Sequence, residues 1–125
     1  YLAEAPDDGT AWFILGNISY DRGGYEAAAT RFGRAVEANP DLNEARFNLG
    51  SALYEAEAYA DAIEAYEELV AREPHNVDAL HNLGLSYLAL AEQLAAEEGR
   101  NEKALGRGET SDEEASAEMV GDGEE

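Results

Sequence analysis

The chain contains no cysteine, so neither disulfides nor thiolate chemistry can contribute, and the redox compartment stays open. Lysine is nearly as scarce. Lys103 is the only one, and with the arginines it makes 8 basic residues against 28 acidic, a formal net charge of −20. That balance argues against nucleic acid and anionic membrane as partners, since both recruit clustered Lys and Arg. No apolar run approaches the roughly 20 residues of a membrane span. Tyr1-Leu2-Ala3-Glu4-Ala5 reads as the end of a helix, so further chain upstream is expected.

What is present is 125 residues, enough for one domain with a modest core. The hydrophobic share is 45%, and much of it is Ala, which points to small residues between closely approaching helices. The acidity is spread along the chain. Residues 97–125 hold 11 acids and 3 bases, and residues 1–96 hold 17 and 5. A basic partner is one reading. Adaptation to a salty cytoplasm, where acidic surfaces keep proteins dissolved, is the other, and the even spread favours it.

The order within the sequence is periodic. Asn48-Leu49-Gly50 returns as Asn82-Leu83-Gly84, 34 residues on, and the three prolines, Pro6, Pro40 and Pro74, are spaced by 34 as well. A fixed period decides architecture before any single motif does. Trp12, Leu15, Gly16, Ile18 and Ser19 share helical spacing, a break follows at Gly23-Gly24, and Ala28, Phe32, Ala35 and Val36 form a second stripe. The second interval repeats this with Leu49, Gly50 and Leu53, then Ala62, Ile63, Tyr66, Leu69 and Val70. Proline stops each second helix. The spacing predicts helices at about 10–22, 25–38, 43–56 and 59–72, with a fifth starting near 77.

This pattern resembles the tetratricopeptide repeat family, whose signature runs W-x2-L-G-x2-Y, A-x3-F, P. Trp12-x2-Leu15-Gly16, Ala28-x3-Phe32 and Pro40 carry the resemblance in the first interval; Leu49-Gly50, Ala62-x3-Tyr66 and Pro74 carry it in the second. Leu83-Gly84-x2-Tyr87 continues it in the third, while Ser19 and Leu53 replace the family's Tyr, and Arg46 and Leu80 its Trp. The resemblance covers about residues 1–90 and implies an all-α solenoid of antiparallel helix pairs. Residues 1–8 would end a preceding repeat, 9–42 and 43–76 would form repeats 1 and 2, and 77–105 would form repeat 3. In repeat 3 "LALAEQLAAEEG" carries no turn, which predicts a first helix of about 77–98, a break at Gly99, and a poor second helix. Residues 106–125 have the composition of a disordered acidic tail, with room for a short helix around 111–119.

Catalytic constellations are missing. His75 follows a helix-breaking proline, and His81 six residues later makes no metal-ligand spacing. Glu67-Glu68 reads as a solvated face, and the Gly-Gly of "DRGGYE" (21–26) lacks the strand and Lys of a phosphate loop. No enzyme, cofactor or metal is expected.

The resemblance implies instead a binding surface, because in stacked pairs the first helix of each repeat lines a concave face. The implied groove set is Thr10, Phe13, Asn17, Tyr20 and Asp21; Glu44, Phe47, Asn48, Ser51, Tyr54 and Glu55; and Asp78, His81, Asn82, Leu85 and Leu88. Aromatics would supply apolar area and amides would bond a peptide backbone. Tyr20, Tyr54 and Leu88 could equally pack within the stack, and Asn48 and Asn82 could satisfy local backbone groups. Phe13 and Phe47 are the better groove candidates, on the argument that Leu15 and Leu49 occupy the buried direction. No groove position is basic, so a clamp on an acidic peptide tail is disfavoured; a neutral-to-basic peptide with apolar anchors is expected. The alternative is one segment of a longer solenoid, or a self-associating module, with the free helix face at residues 10–38 covered by more of the protein or by a second copy.

Overall fold

The computed structural model describes residues 8–108, which form five helices and no strand. They are α1 (Gly9–Asp21), α2 (Tyr25–Ala38), α3 (Asn43–Glu55), α4 (Tyr59–Arg72) and α5 (Val77–Gly108). The chain divides into two compact parts, residues 1–90 and 91–125. The first holds α1–α4 and α5 as far as Leu90.

Local chemistry sets the boundaries. Asp8 caps α1, its carboxylate accepting from the Thr10 amide at 2.8 Å, and Asn76 does the same for α5 through the Ala79 amide at 3.0 Å. Of residues 1–8, expected to end a preceding repeat, all but Asp8 lie outside the described residues. The two helix-to-helix turns are copies. Gly24 N–H bonds Ser19 C=O at 2.9 Å, and Ala58 N–H bonds Leu53 C=O at 2.9 Å, closing each first helix by the same six-to-one bond. The turn needs one left-handed residue. Gly23 supplies it at φ 80°, and 34 residues later Glu57 adopts φ 64° without glycine's freedom.

Successive helices pack on one another, α1 on α2, α2 on α3 and α3 on α4, with a lesser contact between α1 and α3. The core is made of Ala28, Phe32, Ala35, Ala45, Ala52, Ala62, Ile63, Ala65, Tyr66, Leu69 and Ala79. Gly16 and Gly50 explain how the pairs close. A Cβ on either would lie 2.6 Å from a ring atom, of Phe32 and Tyr66 respectively, so a hydrogen there lets the aromatic key seat. Burying such a ring contributes about 1.5–3 kcal/mol.

Between the pairs, Glu73 accepts from Asn43 and from Asn76, both at 3.0 Å, tying the α4 end to α3 and to the α5 cap. Position 12 and position 46 are in register and differ in chemistry. Trp12 lies under the Arg34 guanidinium, 5.2 Å from its ring centroid, whereas Arg46 is buried and pairs with Glu68 at 3.6 Å. Arg46 also donates to the Pro40 carbonyl.

The third repeat departs from expectation. α5 runs unbroken through Gly99 to Gly108, so the expected break and separate second helix are absent, and residues 106–108 are helical. One glycine costs a helix interior only about 1 kcal/mol relative to Ala, too little to stop a run of Ala, Leu, Glu and Gln. From 91 to 106 every residue but Gln93 is exposed. The expected tail beyond 108, with its helix at 111–119, lies outside the described residues.

Candidate functional site

α1, α3 and the first half of α5 place their in-register side chains along one groove. One cleft along it is about 280 Å³ and is lined by Tyr20, Ser51, Tyr54, Glu55, Tyr66, Asn82 and Leu85. A neighbouring hollow is lined by Asn17, Tyr20, Phe32, Asn48 and Ser51, and a third by Asn43, Glu44, Phe47, Asn48, Glu73, Asn76 and Asp78. Tyr20, Asn17, Asn48, Ser51, Tyr54, Asn82 and Leu85 are therefore gathered as one surface.

The polar groups are organised across pairs rather than within one helix. Asn48 donates to the Asn17 side-chain oxygen at 3.0 Å. Asn82 donates to the Tyr66 hydroxyl at 3.3 Å, and that hydroxyl meets Ser51 Oγ at 2.9 Å. Asn48 and Asn82 thus bond side chains of other helices, not local backbone. Tyr66, absent from the sequence-derived groove set, is the residue that joins three helices; its hydroxyl was the missed signal, since Phe32 in the same register has none. Burial pushes the Tyr66 hydroxyl above the ordinary 10.0, with the Ser51 and Asn82 bonds opposing, and burial followed by the Glu55 charge raises Tyr20.

Leu15 does not take the buried direction expected of it, and Phe13 is not free in the groove. Leu15 is 37% exposed, and Phe13 is half-buried with its ring 5.9 Å from Phe32. Phe47 likewise meets Tyr66 edge-on at 5.7 Å. Both rings brace the core keys, and Phe47 also lines the third hollow. Tyr20 and Tyr54 stack edge-on against Tyr25 and Tyr59 at 5.1 and 5.3 Å. His81 and Leu88 are exposed on α5, as is His75 in the preceding turn. Among the described residues no cluster of His, Asp and Glu could hold a metal ion, and no helix is long and apolar enough to cross a membrane.

The tetratricopeptide repeat family model matches residues 19–71 and again 57–112, three quarters of the chain. The chain belongs to the tetratricopeptide repeat family. Its helical-repeat solenoid is similar to solved structures of the repeat protein MamA, at a TM-score of 0.67 and 24% identity, and to a mutant of MamA at 0.63 and 26%. The alignments cover 98% and 97% of this chain but 63% and 65% of those, so the chain spans under two thirds of their length. No curated protein sequence matches. Tetratricopeptide repeats serve in general as protein-interaction scaffolds without catalysis, and this chain has that scaffold.

Proposed function

We propose that the groove of α1, α3 and the first half of α5 binds an extended or helical peptide, neutral to basic, with apolar anchors. The observation that carries this is the composition of the 280 Å³ cleft: two groove tyrosines and Leu85 give apolar area, Ser51, Asn82 and Tyr66 give a pre-ordered polar strip, and the only charge is the acid Glu55. A basic side chain on the guest would meet Glu55, and an acidic tail would be repelled.

The test uses groove residues that do not brace a core ring. Glu55→Lys and Leu85→Ala should leave the thermal midpoint within a few degrees and remove most of the proteins that the intact chain captures from lysate. Capture of an unchanged set by both variants would reject the groove. A second reading has its own support. Ile14 and Ile18 on α1 are 51% and 43% exposed, while Ala52 and Ser86, in register with Ile18, are fully buried. That face suits cover by another helix of a longer solenoid or of a second copy, and a sedimentation mass that rises with concentration would favour it.

A further inference from the structure

The register that sets Gly16 against Phe32 and Gly50 against Tyr66 comes round a third time at Gly84. There a Cβ would meet nothing within 4 Å. Leu80 and Tyr87, on the same helical face, are 44% and 49% exposed, with Leu83 beside them half-buried. In the two complete pairs the residues in these positions are engaged by the second helix: Trp12 by Arg34, Ser19 by Arg31, and Arg46 by Glu68. The last repeat therefore presents a seat shaped for a helix.

The chain's own continuation lacks the key. In register with Ala28-x3-Phe32 and Ala62-x3-Tyr66 stands Ala96-x3-Arg100, which has no ring to place over Gly84. The rim is acidic, since the Tyr87 hydroxyl donates to Glu67 at the edge of the seat, and the chain as a whole carries a charge of −20. We propose that Leu80, Leu83, Gly84 and Tyr87 form a docking slot for a helix of another protein, amphipathic and with cations beside its aromatic. A small residue stands four positions before an aromatic that seats over Gly84. Its apolar side covers Leu80 and Tyr87, and its cations face Glu67. This slot uses different residues from the groove and stands or falls apart from it.

The probe is a stapled helical peptide of the α2 sequence, residues 25–38, which carries Ala28, Arg31, Phe32 and Arg34; the staple removes the helix-forming cost of a short peptide. Fluorescence anisotropy with the full chain should show saturable binding, weakened about tenfold or more when the peptide carries Phe32→Ala. In the chain, Gly84→Leu fills the seat and should weaken binding by at least about tenfold without lowering the thermal midpoint. The proposal is overturned if the peptide fails to saturate at millimolar chain, if Gly84→Leu binds as before, or if the Phe32→Ala peptide binds equally. A lowered midpoint in Gly84→Leu would also overturn it, by showing that this chain's own residues already occupy the seat.

Discussion

The two complete helix pairs hold the same shape with different chemistry. The first closes on Phe32, lays Trp12 under Arg34, and turns through Gly23; the second closes on Tyr66, pairs Arg46 with Glu68, and turns through Glu57. What stays constant is size at the points of closest approach: a glycine on the first helix, an alanine and a ring on the second. What varies is chemistry, provided its register partner varies with it. A buried arginine where the family has tryptophan is tolerated because position 68 is an acid where position 34 is a base.

The largest effect should come from the constant elements. Phe32→Ala and Tyr66→Ala should each cost about 3–5 kcal/mol by denaturant titration; a loss under 1 kcal/mol in either would show that the rings are not the keys. Next come the glycines. Gly50→Ala should cost about 1–3 kcal/mol, because the new methyl meets the Tyr66 ring. Gly84→Ala should instead gain about 1 kcal/mol or less, as an open helical site. Equal effects at the two sites would dissolve the distinction between closed pair and open seat.

The variable elements should respond more gently. Arg46→Trp and Glu68→Arg should each cost about 1–2 kcal/mol, with the double variant costing less than their sum because it recreates the first pair's stack. The cost is small because Glu68 is 61% exposed and solvent screens its charge. Additive losses would mean the two positions are independent. Tyr66→Phe should cost about 1 kcal/mol through its lost hydrogen bonds, and it should also change the alkaline limb. The Tyr66 hydroxyl ionises above 10.0 in the fold, so its neutral form stabilises fully below 10 and this stabilisation is lost as pH rises through the folded value. The intact chain should therefore weaken more steeply above pH 10 than Tyr66→Phe in thermal melts. Smallest of all, Glu57→Gly should gain about 0.5–1 kcal/mol by relieving the left-handed residue; a loss would mean that the glutamate side chain contributes more than its backbone costs.

Much of the architecture was readable without coordinates, because proline and glycine punctuate at a fixed period. Pro40 and Pro74 end the second helices, and α2 and α4 begin and end where periodicity places them. The groove was legible as a set of positions but not as a set of roles. Phe13 and Leu15 are two residues apart and both apolar, so spacing alone cannot say which one points inward; the Phe32 ring decides, and it lies on another helix. The same holds for Asn48, whose partner Asn17 is 31 residues away. Gly99 misled because a glycine signals a stop only where the surrounding residues are poor helix formers.

Each of α1 to α4 leans chiefly on the one just before or after it in the chain. A molecule organised so locally needs few distant loops closed before it gains energy, which favours rapid assembly. It also makes length an editable property: splicing in another copy of residues 43–76 would present matching faces at both seams, so evolution can extend such a stack by duplication without redesigning anything already built.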